Sequence, residues 1–308
     1  MTNLRHFGHD DLKQLVGISS LERSEQWVNP ITYRVLDSRE QTLIQSAVRD
    51  EVQNRAWRVS GDNDPSVWER GWDEIARRVK SLDQIDAFAL SPNYFRGENI
   101  FRLHDQYVQA VSTDAEFAIG LMIREAVLAH WVGPYPEVVE FGCGTGLNLF
   151  LLAKRFPEKQ YTGCDWALSV WPILQCISNT LAVRLDFRQY NMLTGSGLIE
   201  PFRDGTVICT VHAMEQLHVT WGPFVRDILR RRPALCVHIE PFVELYSCES
   251  RLDEVAIQFH QKRQYLSGFL PALREYQARE EIVILDCRRI HFGGKYHEAY
   301  SIVAWKPA

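Results

Sequence analysis

Val138-Val139-Glu140-Phe141-Gly142-Cys143-Gly144-Thr145-Gly146 constrains this chain more than any other stretch. An apolar run ends on an acid and passes into three glycines at alternate positions. Leu147-Asn148-Leu149-Phe150-Leu151-Leu152-Ala153 then reads as a helix. Strand, glycine turn and helix N-terminus in that order let a ligand lie directly on backbone, because glycine has no Cβ to hold it off and accepts positive φ. The acid at Glu140 asks for a ligand that brings positive charge or hydroxyls as well as a surface to pack on. The spacing also excludes. A dinucleotide fingerprint needs a glycine where Leu147 stands, and a phosphate-cradling loop needs a lysine that does not follow these glycines.

The segments downstream extend the pattern. Gln160–Asp165 reads as a second strand ending in an acid, which can accept hydrogen bonds from both hydroxyls of a ribose. Residues 185–192 read as a third strand carrying Asn191 and Met192 at its carboxyl end. Residues 206–212 and 234–240 give a fourth and a fifth, and 282–285 and 300–305 two more. Glu140-x-Gly142-x-Gly144-x-Gly146 with this succession resembles motif I and the strand order of class I S-adenosylmethionine-dependent methyltransferases. The resemblance implies an α/β fold with a Rossmann-like seven-stranded sheet, mostly parallel with the last strand antiparallel, and S-adenosylmethionine as cofactor. It assigns Glu140, Gly142, Cys143, Gly144, Gly146, Asp165, Trp166, Asn191 and Met192 to the cofactor. The acid that the family often carries after the third strand is missing here.

Composition narrows the partners. The 308 residues are 46% hydrophobic and 24% charged, with a formal net charge of −5, which gives no electrostatic case for nucleic acid. No apolar run is long enough to span a bilayer, and Met1–His6 shows no charged-then-apolar leader. Seven cysteines without a Cys-x-x-Cys pair read as reduced thiols. The expectation is a cytoplasmic protein acting on a small molecule without nucleic acid or membrane as partner, and a homodimer is compatible with it.

Residues 1–134 read as a helical cap and substrate region, and 135–308 as the catalytic domain. Residues 42–52 have helical spacing. Residues 66–79 follow Pro65, with Asp64 as N-cap and Trp68, Trp72, Ile75 and Val79 on one face, a stripe with the signature of packing. Residues 113–127 read as a helix capped by Thr113. Ser91–His104 mixes aromatics, arginines and a histidine around turn residues. It offers Tyr94, Arg96, Arg102 and His104 as substrate contacts, or else serves as a plain connection.

In an open α/β sheet, ligands bind outside the carboxyl ends of the parallel strands. That rule selects His212 after the fourth strand, with Glu215 and His218 just beyond it. It also selects His238 and Glu240 at the end of the fifth, two apart and therefore on one side, and His291 and His297 in the last loop. Methyl transfer to a hydroxyl needs an aligned nucleophile and a proton acceptor, and histidine suits the second task. His212 is the expected base, with His238 and Glu240 as alternates or orienting groups; Glu215, His218, His291 and His297 are expected at the substrate. The set His212, His218, His238, Glu240, His291 and His297 also permits a two-His-one-carboxylate metal centre, although the spacing is no recognised metal motif. The segments 238–241, 262–270 and 292–307 are similar to a group of small-molecule or sugar methyltransferases, and Lys262-Arg263 could face an acidic group on the acceptor or form a solvated helix face. The expected activity is methyl transfer to a hydroxyl of a small polar metabolite or sugar. The alternatives are N- or C-methylation of a natural-product precursor, with or without a metal, and a catalytically silent cofactor-binding relative.

Overall fold

The runs Thr206–Val211 and Leu235–Glu240 are buried at every position, which a strand covered on both faces requires. They form the centre of the larger of two sheets. The computed structural model describes residues 4–22, 30–60, 65–82, 84–92, 98–197 and 201–308.

The first part of the chain supplies β1 (Leu4–Phe7), α1 (His9–Val16), β2 (Ile31–Val35), α2 (Ser38–Asn54), α3 (Pro65–Lys80), β3 (Ile100–Leu103), β4 (Gln106–Ala110) and α4 (Ala115–Val132). The three expected helices appear as α2, α3 and α4. Asp37 begins α2 with a reciprocal capping box, its side chain accepting from the Glu40 N–H while Glu40 accepts from the Asp37 N–H. Asp114, not Thr113, takes the N-cap position of α4; Asp64 lies outside the described residues. The expected helices of the cap are joined by four strands that the sequence reading did not place. They are four or five residues long, and arginines and glutamines break their apolar alternation. The β3–β4 turn places His104 and Asp105 at φ 53° and 60° without the glycine that normally announces such a hairpin.

The second part runs β5 (Glu137–Phe141), α5 (Leu147–Arg155), β6 (Gln160–Asp165), α6 (Val170–Leu181), β7 (Arg184–Asn191), β8 (Ser196–Gly197), β9 (Thr206–Val211), α7 (Gly222–Arg231), β10 (Leu235–Glu240), α8 (Arg251–Arg263), α9 (Phe269–Ala278), β11 (Ile282–Arg289), β12 (Phe292–Gly293) and β13 (Ser301–Pro307). The large sheet has the order β11-β13-β10-β9-β5-β6-β7-β8. β7, β6, β5, β9 and β10 are parallel, and the last strand, β13, lies antiparallel between β10 and β11. This is the expected Rossmann-like sheet of seven strands, mostly parallel with the last strand antiparallel, extended by the two-residue β8 beside β7. The small antiparallel sheet has the order β1-β2-β4-β3-β12, so the C-terminal segment 292–293 pairs with β3.

The chain leaves β5 towards β6 and β7, then returns to lay β9 on the other side of β5. Strand order reverses there, and the reversal opens a crevice outside the carboxyl ends of β5 and β9. Glu140 sits at the end of β5 and His212 follows β9. Trp72, Ile75 and Val79 of α3 are buried, as the stripe predicted. Among the described residues no helix is long and apolar enough to cross a membrane.

Candidate functional site

The glycine turn is built by positive backbone torsions. Gly142 has φ 66° and Gly144 φ 50°, a region that L side chains rarely enter. A Cβ on Gly142 would stand 2.4 Å from the Ala213 Cβ, and one on Gly144 3.0 Å from the indole of Trp72. The first contact closes the turn against the segment after β9. The second brings α3 over the turn, a placement that the packing stripe gave no hint of. Glu69, one turn earlier in α3, accepts from the N–H groups of Leu168 (2.7 Å) and Ser169 (3.0 Å), where α6 begins.

Two carboxyls face each other across this turn. Glu140 is fully buried; its Oε1 accepts from Asn148 Nδ2 at 2.6 Å, while its Oε2 has no partner. Burial pushes Glu140 up to about 8, against the opposing pull of Asn148 and Arg124. Asp165 accepts from the Gly144 N–H at Oδ2 and from the Ala167 N–H at Oδ1, both at 3.0 Å. Burial raises it to about 6, with the backbone donors pulling down. Cys143 is buried in the turn, and burial drives its thiol upward. The Trp166 carbonyl accepts from Gln189 Nε2 at 3.0 Å. Asn191 Oδ1 accepts from the Leu193 N–H at 2.9 Å, holding the turn after β7, and the Met192 sulfur stands 3.7 Å from the Cβ position of Gly142.

His212 stands across the crevice with φ 54°, a strained value for a non-glycine residue. Its Nδ1 lies 3.4 Å from Glu215 Oε2, and its Nε2 is buried without a partner. The ring meets Tyr300 edge-on at a centroid distance of 4.8 Å, and Arg124 of α4 lies 5.7 Å from the Tyr300 ring. Burial lowers the His212 pKa below the ordinary histidine value, with Glu215 opposing.

Glu240 explains the strained turn. Its Oε1 accepts from the N–H groups of Ala213 (3.0 Å) and Met214 (3.1 Å), and its Oε2 from that of Glu215 (3.2 Å). It is fully buried, and burial pushes it up to about 8. The expected catalytic role is therefore replaced by a positioning one. His238 leaves the site altogether. Its Nε2 accepts from Trp305 Nε1 at 3.0 Å, its Nδ1 lies 2.9 Å from Thr210 Oγ1, and burial lowers it to about 3. Both ring nitrogens are used inside the sheet's core, so neither is available to a substrate.

The remaining expectations divide. His297 Nδ1 lies 3.0 Å from His260 Nε2, and burial, then His260, Arg102 and His212, hold its pKa well below the ordinary value. His260 is buried with Nδ1 unpartnered. His218 ends the short helical turn Met214–Leu217, its carbonyl accepting from the Ser267 N–H. His291 pairs with Asp105 and Glu298 instead. Arg102 is fully buried and donates to the carbonyls of Leu252 and Lys295 and to the Tyr107 hydroxyl, which makes it a structural tie. His104 sits in the β3–β4 turn with its N–H on the His291 carbonyl. Tyr94 and Arg96 lie outside the described residues. The six-residue metal set is not brought together, since His238 and Glu240 are committed to internal partners. Trp72, Arg124, Asn148, His260 and Tyr300 join the site without having been selected from sequence.

No family model and no curated protein sequence matches the chain. Solved structures resemble it in fold. The small RNA methyltransferase HEN1 is 17% identical over 60% of this chain and 24% of its own, with a TM-score of 0.45. An O-methyltransferase family 2 protein from Planctomyces limnophilus, in complex with apigenin, is 9% identical over 87% of this chain and 93% of its own, at 0.42. The [4+2]-cyclase SpnF is 14% identical over 59% of this chain and 80% of its own, at 0.43. This chain thus spans about a quarter of HEN1. A fold alone does not set a function, which rests on the residues of the site.

Proposed function

We propose that the chain is an S-adenosylmethionine-dependent methyltransferase that methylates a hydroxyl of a small polar metabolite or sugar, with His212 as the base. The observation that carries this is the His212 ring: Nδ1 faces Glu215 while Nε2 is buried, unpartnered and beside the strand-order crevice. The donor side fits the cofactor. Glu140 Oε2 is a buried acceptor without a partner, Asp165 can accept from ribose hydroxyls, and the positive φ of Gly142 and Gly144 keeps the turn tight between Ala213 and Trp72. S-adenosylmethionine, when bound, supplies a methyl group activated by its sulfonium. Glu140 and Asp165 hold it, and the indole of Trp72 and the ring of Tyr300 keep water from the crevice. Glu215 keeps the Nδ1 proton in place, so that Nε2 takes the proton from the acceptor hydroxyl. Incubating the protein with isotopically labelled methyl donor and a metabolite extract should produce a labelled, mass-shifted product. Cofactor binding by calorimetry without any labelled product would favour the silent relative, and absence of binding would end the reading. Label on nitrogen or carbon would move the acceptor class.

Glu140 gives this reading a further handle. Burial holds its carboxyl up to about 8, so it is largely protonated near neutral pH. A cationic ligand favours the carboxylate and lowers that pKa. Binding of the methyl donor should then release up to about one proton near neutrality. Heats measured in buffers of different ionisation enthalpy should diverge for the native chain and coincide for Glu140→Gln. Buffer-independent heats in the native protein would rule out the coupling.

A further inference from the structure

We infer that Asp105, His291 and Glu298 form a binding site for one divalent first-row cation, of the kind Mn²⁺ and Zn²⁺ represent, tying the β3–β4 turn to the C-terminal loop. The three groups come from separate stretches of chain. Asp105 is the second residue of the hairpin turn, held at φ 60°. His291 and Glu298 flank β12, which pairs with β3 beside that turn. The His104 N–H donates to the His291 carbonyl at 2.8 Å, so the backbone itself fixes the turn against the loop. His291 Nδ1 lies 2.7 Å from Asp105 Oδ1 and 3.4 Å from Glu298 Oε2, and the three ligand atoms all lie within 4.8 Å of one another.

The donor set suits the ion. Metal–ligand bonds of about 2.1 Å put ligand atoms roughly 3 to 4 Å apart. Small rotations of the exposed Asp105 side chain meet that requirement. One imidazole nitrogen with two carboxylate oxygens matches borderline cations better than Mg²⁺ or Ca²⁺, which prefer oxygen alone. Nδ1 is shielded from solvent and lies between the two carboxylates.

Charge favours occupancy. Asp105, Glu298 and Asp253 contribute three carboxylates, against the guanidinium of Arg289, which bridges Glu298 and Asp253, and that of Arg102, which acts on Asp253. Arg289 approaches Glu298 Oε2 through Nε and leaves a second lone pair on that oxygen. The loop so anchored carries His297 and Tyr300, but the site makes no use of the methyl-transfer reading.

The test is a calorimetric titration of the chelator-stripped full chain with MnCl₂ and, separately, ZnSO₄. One saturable equivalent per chain is expected. Affinity should fall at least tenfold in His291→Ala and in Asp105→Asn, the second chosen because asparagine keeps the left-handed turn. Mn²⁺ should also broaden the ring resonances of His291 and of the adjacent His104. If His291→Ala fails to fold, Asp105→Asn decides. Absence of saturable binding in the native chain would mean that His291 carries only a proton between the carboxylates, and binding undiminished in the variants would mean that the ion sits elsewhere. Either result overturns the site.

Discussion

His212→Asn should cut turnover by about 10²- to 10⁴-fold, the usual range for loss of a positioned general base, while leaving affinity for the methyl donor unchanged. Asparagine is the informative replacement because it tolerates the φ of 54° found here and so leaves the turn intact. The pH profile makes the claim sharper. Burial lowers the His212 pKa, so the ring is neutral and able to accept a proton at neutral pH. Turnover should therefore hold down to pH values below the ordinary histidine range and then fall as His212 protonates. The variant should lack that acidic limb. Turnover within about threefold of the native rate, with the acidic limb still present, would remove His212 as base and point to an acceptor that needs no deprotonation.

The glycine-turn half of this site was legible in sequence because its contacts are local. Glu140, Gly142, Gly144 and Gly146 lie within one strand–turn–helix, and Asp165 ends the next strand, so pattern alone places them on one edge. The parallel strands were equally plain, since β9 and β10 are buried throughout and read as short, mostly apolar runs rich in β-branched residues. The half around His212 depends on contacts between distant segments. Trp72 reaches Gly144 from a helix whose stripe reads as ordinary packing, and Tyr300 meets His212 from across some ninety residues of chain.

Two histidines show the same limit from the other side. Alternation put His238 on the side of Glu240, but it could not reveal that Trp305 of β13 fills the space beyond it and takes its Nε2. His291 sits in the loop that was expected, yet its partners Asp105 and Glu298 become neighbours only because β12 joins the small sheet. That sheet went unread because its strands are short and its tight turn carries histidine and aspartate where glycine is usual.

Glu240→Leu should both destabilise the protein by about 3 kcal/mol or more and abolish turnover, although Glu240 touches no reacting atom. The carboxyl gathers the N–H groups of Ala213, Met214 and Glu215, the residues directly after His212. Leucine fills the space but leaves these donors without an acceptor, and each orphaned buried group costs about 1–3 kcal/mol. The backbone strain at His212 has the same origin, because a left-handed residue at the end of a strand persists only where its surroundings over-determine it. Without Glu240 the turn relaxes, Glu215 leaves Nδ1, and Nε2 no longer faces the crevice. Glu240→Gln separates the two effects. Its amide oxygen can still serve Ala213 and Met214, while its NH₂ group meets the Glu215 N–H donor to donor, so the loss should be about 1–2 kcal/mol with turnover reduced but measurable. Urea unfolding midpoints and steady-state kcat on the same three proteins decide the matter. A leucine variant with native stability and lowered turnover would return Glu240 to a direct part in the chemistry, whereas the order native, glutamine, leucine in both readouts makes it the brace that holds His212 in place.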